Sequence, residues 1–367
     1  MKKTVCVLIA ALFLLAGCSK PDNVIAEYTS PDELPSCYAR LYPEKSADSS
    51  YAVLLRRFDE AESHIAVCGG LGEEMRTVYS LPEGTFAYEL CAGGGLIAFY
   101  QLISYTDGSI DYALKVIDTE NENKLNSPYS KTVSDISETQ TRFIAVFGGA
   151  VYYLTSSAKL GRCRIMKYDV KSETLSEYLS FEYTNDKDAG GISCTFISER
   201  EGYLTCGVTD GKDYSLKTYN LRTGSLYAEK EIKDVSMIFY ADYDRMTGIY
   251  AVYYAKNGDG SNGDERVGIT TASGAAITDL FTDLTAAYIC RDAVTVYNNL
   301  VCFNVEAADK NGAYDSFYGV MVNVTDGSNV AFKGSFQLFI KDSDIYSLTF
   351  DKKAGYGKVS LSKTEIR

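Results

Sequence analysis

The groups in this 367-residue chain that could do chemistry are ten cysteines, one histidine and 49 acidic side chains. The lone histidine, His64, excludes a histidine-rich metal centre within one chain. Any Ser-His-Asp relay would have to use it, yet it sits in a strand-like run, Ser63-His64-Ile65-Ala66-Val67, and reads as a half-exposed strand residue. Two carboxylates at a set separation can hydrolyse a glycosidic bond; the sequence offers many acidic residues but marks no pair. The run from Asn257 to Asp264 begins like a calcium loop. It then places Asn262 where such a loop needs glycine, and Gly268 where the bidentate acid belongs. It therefore reads as a polar connection, as does Asp309 to Gly312. Thr-Asp-Gly recurs at 106–108, 209–211 and 325–327 without the spacing of a phosphate loop, and reads as turns. No catalytic residue, metal site or cofactor is assigned.

Two of the cysteines, Cys6 and Cys18, lie near the start of the chain. The other eight are Cys37, Cys68, Cys91, Cys163, Cys194, Cys206, Cys290 and Cys302, and none forms a C-x-x-C pair. Cys194/Cys206 and Cys290/Cys302 share a spacing of twelve and are offset by 96. Neighbouring antiparallel strands could bring such pairs within disulfide range. The preferred reading is that they are small buried apolar residues in equivalent positions.

Cys18 has a distinct setting. Lys2 and Lys3 are followed by an apolar run from Val5 to Ala16, shorter than the roughly 20 residues a spanning helix needs. Charge, apolar run and small residues in that order make a secretory leader. Leu15-Ala16-Gly17-Cys18 resembles the lipobox of bacterial lipoproteins. The resemblance implies cleavage before Cys18 and lipid on its thiol, with 1–17 as signal peptide and 18–35 as tether and closing strand. Each acyl methylene buried contributes about 0.8 kcal/mol, so two chains anchor stably. The expected location is a membrane surface outside the cytoplasm, the outer membrane in a Gram-negative cell.

Formal net charge is −13, and loss of Lys2 and Lys3 with the leader would make it −15. Such a surface repels phosphate backbones, so nucleic acid is not an expected partner. The 30 Tyr and 16 Phe, with no Trp, favour strands.

A repeat organises the rest. Short apolar segments following turns begin near Tyr51, Leu96, Val151, Tyr203, Ile249, Leu300 and Ile345, at intervals of 45, 55, 52, 46, 51 and 45. A second marker matches Tyr168-Asp169-Val170-Lys171-Ser172-Glu173 to Tyr219-Asn220-Leu221-Arg222-Thr223-Gly224. Weaker copies end at Glu122, Gly274 and Gly327. Its chemistry is that of a hairpin turning on an Asx residue. A period near 50 with four short strands reads as one propeller blade. In the fourth unit the expected strands are 192–198, 203–208, 214–221 and 226–232. The last unit lacks a fourth strand, and Val24 to Tyr28 is expected to supply it. The fold class is therefore all-β, a single propeller of seven four-stranded blades over residues 36–367, closed by an N-terminal strand.

The turn Asn220-Leu221-Arg222-Thr223-Gly224-Ser225-Leu226 resembles the D-x-x-T-G-x-L turn of quinoprotein-like and related surface propellers. The outer-strand Trp usual in those families is missing here. Kelch and WD-repeat signatures are also missing. The resemblance implies an architecture, not an activity. The favoured reading is a lipid-anchored binding or scaffolding module for an envelope protein, peptide or glycan. The alternative is a carboxylate-dependent enzyme acting on a surface polysaccharide or cell-wall fragment. Carboxylates converging with an arginine or tyrosine at one end of the channel would favour the enzyme.

Overall fold

The computed structural model describes the strands between Val24 and Glu365 and many of the tight turns joining them; residues 1–23 and most longer connections lie outside the described residues. Among the described residues all regular elements are strands, paired antiparallel in seven sheets. β1 (Val24–Thr29) comes first in the chain. Sheet one is β2 (Cys37–Pro43), β3 (Tyr51–Arg57), β4 (Ser63–Cys68) and β5 (Arg76–Ser80). Sheet two is β6 (Thr85–Gly93), β7 (Leu96–Ser104), β8 (Ile110–Asp118) and β9 (Tyr129–Thr132). Sheet three is β10 (Glu138–Phe147), β11 (Ala150–Ser157), β12 (Arg162–Asp169) and β13 (Thr174–Glu182). Sheet four is β14 (Ser193–Arg200), β15 (Tyr203–Thr209), β16 (Tyr214–Asn220) and β17 (Ser225–Ile232). Sheet five is β18 (Val235–Asp244), β19 (Ile249–Lys256), β20 (Glu265–Thr271) and β21 (Thr278–Phe281). Sheet six holds β22 (Ala287–Ile289) and β23 (Thr295–Tyr297), which both pair β24 (Leu300–Ala308), followed by β25 (Tyr314–Asn323) and β26 (Asn329–Lys333). Sheet seven is β27 (Ser335–Lys341), β28 (Asp344–Phe350) and β29 (Lys358–Glu365), with β1 on the edge beyond β29.

The first strands of the sheets touch in succession, from β2 through β6, β10, β14, β18 and β23 to β27, and β27 touches β2. This is an all-β propeller, whose inner strands surround a central channel. Side-chain packing is described most fully over the five sheets from β6 to β26.

The hydrophobic cores lie between consecutive sheets, which explains the strand composition. In β15 every residue is buried, because both of its faces are covered. In β16 burial alternates, and β17 is mostly exposed. The exposed edge carries Glu229 and Glu231, with Lys233 just beyond it, and charges on an edge oppose pairing with other chains. Ala145, Leu154, Ile165 and Ile197 fill the space between sheets three and four. Leu216, Ile238, Tyr250 and Val252 fill the next, and Ala251, Val267, Val301 and Phe303 the one after. Burying each large side chain stabilises by about 1.5–3 kcal/mol.

Two turn chemistries generate the repeat. The first and second strands of sheets two, three and four are joined by Gly94-Gly95, Gly148-Gly149 and Glu201-Gly202, all with positive φ. That is the two-residue turn whose twist matches a hairpin. The third and fourth strands turn on an Asx residue. Asp169 Oδ1 accepts from the Ser172 amide at 2.9 Å, Asn220 Oδ1 from the Arg222 amide at 2.9 Å, and Asn323 Oδ1 from the Thr325 amide at 2.9 Å. Each turn closes on a left-handed residue, Glu173, Gly224 or Gly327. The two turns are tied together in sheets two, three, four and six. The amides of Thr119, Val170, Leu221 and Val324 donate to the carbonyls of Gly95, Gly149, Gly202 and Asn299.

The Ser172 amide and hydroxyl hold the Asp169 carboxyl below its ordinary range. A carboxylate depressed in the folded state adds stability above its unfolded pKa of about 3.9, lost as pH falls through the folded value. Replacing Ser172→Ala should therefore raise the Asp169 titration midpoint in an NMR titration. An unmoved midpoint would show that the hydroxyl does not contribute.

Inner strands β6, β10, β14, β18 and β27 all carry a β-bulge on the side away from the first turn. The extra residue is Glu89 in β6, Thr195 in β14, Phe239 in β18 and Phe336 in β27. Bulges bend a strand and re-aim its side chains. The inner strand of sheet four also runs two residues past its expected end at 198, to Arg200, because Glu201-Gly202 supplies the turn.

Cys206 and Cys302 are not equivalent. Tyr203 and Leu300 each follow the first turn, so Cys206 is the fourth residue of β15 and Cys302 the third of β24. A one-residue offset puts them on opposite faces. Cys206 packs toward sheet three and Cys302 toward sheet seven. Both are buried free thiols, as is Cys194. Cys290 lies outside the described residues.

Candidate functional site

An inner strand has a sheet neighbour on one edge only, and its other edge faces the channel. From sheet four onward, side chains of one inner strand bond the backbone of the next. Ser198 Oγ donates to the Ala241 carbonyl at 2.6 Å. Asp242 Oδ2 accepts from the Val296 amide at 2.9 Å. Thr295 Oγ1 accepts from the Ile340 amide at 3.4 Å. Ser198, Asp242 and Thr295 all stand two residues before the last residue of β14, β18 and β23. The result is a polar lacing around one level of the channel.

Arg200 joins this lacing. Its Nη1 lies 2.8 Å from Asp242 Oδ2, and its guanidinium sits over the Tyr297 ring at 5.7 Å. One arginine thus bridges sheets four, five and six. Burial opposes its charge, and the Asp242 carboxylate beside it more than offsets that, so the guanidinium is held protonated. Asp242 is 5% exposed and takes a third donor, the Tyr243 amide, at 3.0 Å. Asp244, on the same strand, accepts from the Met246 amide at 3.0 Å and the Thr247 hydroxyl at 2.8 Å. Two carboxylates, an arginine and a tyrosine therefore do converge at the turn end of the inner strands. Each carboxylate is bonded within the fold, Asp242 to the guanidinium and two backbone amides and Asp244 to the turn that follows it.

The bulged end of the inner strands has another character. Phe143, Phe196 and Tyr240 belong to three successive inner strands. Their rings stack in series, at 6.3 Å between the first two and 5.7 Å between the last two. Phe239 continues the row against Tyr253 at 4.6 Å. Phe143, Phe239 and Tyr240 are half-buried, and nearby Met237 is exposed. This arc requires Gly207: a Cβ there would come within 2.8 Å of Phe196 Cδ1 and of Thr195 Oγ1.

Asn304 on β24 is 3% exposed, and among the described residues neither amide atom has a hydrogen-bond partner. It shares a face with Cys302, toward sheet seven. An unsatisfied buried amide costs about 1–3 kcal/mol. Asn304→Leu should therefore raise the denaturant midpoint. A lowered midpoint would show that a bound water satisfies the amide.

Cys18 lies outside the described residues. His64 falls on β4 opposite Leu55 and Ser80. The 257–264 and 309–312 runs lie outside the described residues, as does 106–108. Asp210 caps the β15–β16 connection through its Oδ1, which accepts from the Asp213 amide at 2.9 Å. Thr325 to Gly327 form the Asx turn above. Arg200 and Asp242 went unmarked in the sequence, although charged residues inside the apolar runs of β14 and β18 were a usable signal. Among the described residues no group of three or more His, Cys, Asp or Glu could hold a metal ion, and no helix is long and apolar enough to cross a membrane.

No protein-family model matches the chain, and no curated protein matches it. Solved structures do. A prolyl endopeptidase structure aligns over 92% of this chain and 49% of its own length, with a TM-score of 0.57 and 12% identity. The β-propeller domain of the Trilobed protease from Pyrococcus furiosus, which has an open velcro topology, aligns over 78% of this chain and 83% of its own, at TM-score 0.47 and 10% identity. A puromycin hydrolase aligns over 85% and 49%, at 0.49 and 10%. The chain spans about half the length of the two peptidase and hydrolase structures. At these identities the likeness establishes the propeller fold and nothing about activity.

Proposed function

We propose that this chain is a membrane-anchored propeller lipoprotein, lipidated on Cys18, that binds an envelope protein, peptide or glycan. The ring in this reading has seven blades, one per sheet, and β1 closes it by pairing β29. That pairing runs from Val24 opposite Ser362 to Thr29 opposite Lys358. The observation that carries the binding role is the contrast between the two ends of the inner strands. Asp242 and Arg200 at one end bond each other and the neighbouring strands, and half-buried aromatic rings, Phe143, Phe239 and Tyr240, gather at the other. Aromatic surface suits protein and sugar ligands.

The test begins with the intact mass of protein extracted from membranes in mild detergent. Cleavage before Cys18 plus acyl chains is expected, and Cys18→Ala should release the protein from the membrane fraction. Partners captured in the same detergent should depend on Phe239 and Tyr240, so Phe239→Ala with Tyr240→Ala should lose them. An unlipidated mass overturns the anchor. Turnover of a cell-wall polysaccharide by the purified protein would overturn the binding role in favour of an enzyme.

A further inference from the structure

Three of the buried thiols meet between sheets three and four. Cys163 on β12, Cys194 on β14 and Cys206 on β15 share one core, each at most 3% exposed. Cys163 Sγ lies 3.9 Å from the Cys194 carbonyl, across the junction of the two sheets. The Cys194 thiol faces those of both Cys163 and Cys206 and turns toward the Phe196 carbonyl at 3.4 Å.

Register separates the two partners. Within sheet four Cys194 stands opposite Val208, which makes Cys206 its diagonal neighbour. Diagonal Cβ atoms in a sheet lie somewhat under about 7–8 Å apart, beyond the roughly 3.5–4.5 Å of a disulfide. Cys163 approaches from another sheet and is free of that constraint. It also packs against the segment where the Cys194/Phe196 bulge has loosened the ladder.

We propose that Cys163 and Cys194 form a disulfide that staples sheet three to sheet four under oxidising conditions, with Cys206 remaining a thiol. The oxidant is a small disulfide or a disulfide-bearing oxidoreductase. The Cys163 thiolate attacks one sulfur of that disulfide and releases the first thiol. Cys194 then attacks the Cys163 sulfur, loses its proton and releases the second. Two cysteine thiols give up two electrons and two protons, and one disulfide is reduced to two thiols. The contact to Cys194 favours the thiolate of Cys163, whereas burial opposes that of Cys194. Either thiolate can make the first attack, with the same products. Both groups are covered in the finished fold, so the bond forms while the two sheets close. The proposal holds whether or not the chain is lipidated.

The test refolds the full chain in glutathione disulfide, alkylates it under denaturing conditions and maps its peptides. A linked pair containing Cys163 and Cys194, with Cys206 alkylated, is expected. Cys206→Ser should keep the link and Cys163→Ser should abolish it. Because either variant could misfold, the peptide map of the unsubstituted protein is decisive. Alkylation of all three cysteines in that protein, or a link between Cys194 and Cys206, would overturn the proposal.

Discussion

Asp242→Ala is expected to lower stability by about 3–5 kcal/mol, the cost of breaking a buried ion pair by removing one partner. The substitution strands three groups at once: the Arg200 guanidinium, the Val296 amide and the Tyr243 amide. Arg200→Met should cost less, because it leaves Asp242 with two backbone donors and lets the methionine chain pack beside Tyr297. Asp242→Asn keeps the size, but its NH2 must face either a backbone amide or the guanidinium, both of them donors. It should therefore rank near the alanine change. Denaturant unfolding of the three variants checks the order. If Asp242→Ala cost no more than Arg200→Met, the carboxylate would be holding the arginine alone and the lacing to Val296 would be idle.

The second large effect is expected at Gly207. An alanine there must displace the Phe196 ring or Thr195, and the ring is wedged between Phe143 and Tyr240. Overpacking of this kind costs about 1–3 kcal/mol. The cost should shrink in a Phe196→Leu background, where the offending ring edge is gone. An equal cost in both backgrounds would mean that Gly207 is needed for the backbone of β15 rather than for the aromatic arc. The same cycle would report on binding, since moving Phe196 disturbs the half-buried rings on either side of it.

The features that were legible before the fold was known are those written in local chemistry. The second strands were expected near Tyr51, Leu96, Val151, Tyr203, Ile249, Leu300 and Ile345. They begin at Tyr51, Leu96, Ala150, Tyr203, Ile249, Leu300 and Asp344. Turn residues with positive φ precede most of them, and an Asx turn marks the third-to-fourth hairpins, so a few adjacent residues carry each signal. Arg200 and Asp242 were not legible as a pair. They are 42 residues apart, and only the packing of sheet against sheet brings them together. The cysteines show the other limit. Their matching spacings of twelve suggested equivalence, but spacing counts residues without reference to the turn. A single residue decides which neighbouring sheet a side chain meets.

The chain has no tryptophan, and its outer strand in sheet four places Tyr227 against Tyr203 at 4.8 Å and Tyr243 at 6.2 Å, with Tyr250 a further 4.5 Å on. In most proteins an indole drains the excited state of nearby phenols and hides them. Here no indole is available, so the run of rings between sheets four and five is optically visible. Its coupled near-ultraviolet dichroism adds to the tyrosine signal of the chain, and the part lost on Tyr227→Leu would report, without a label, on the boundary between sheets four and five.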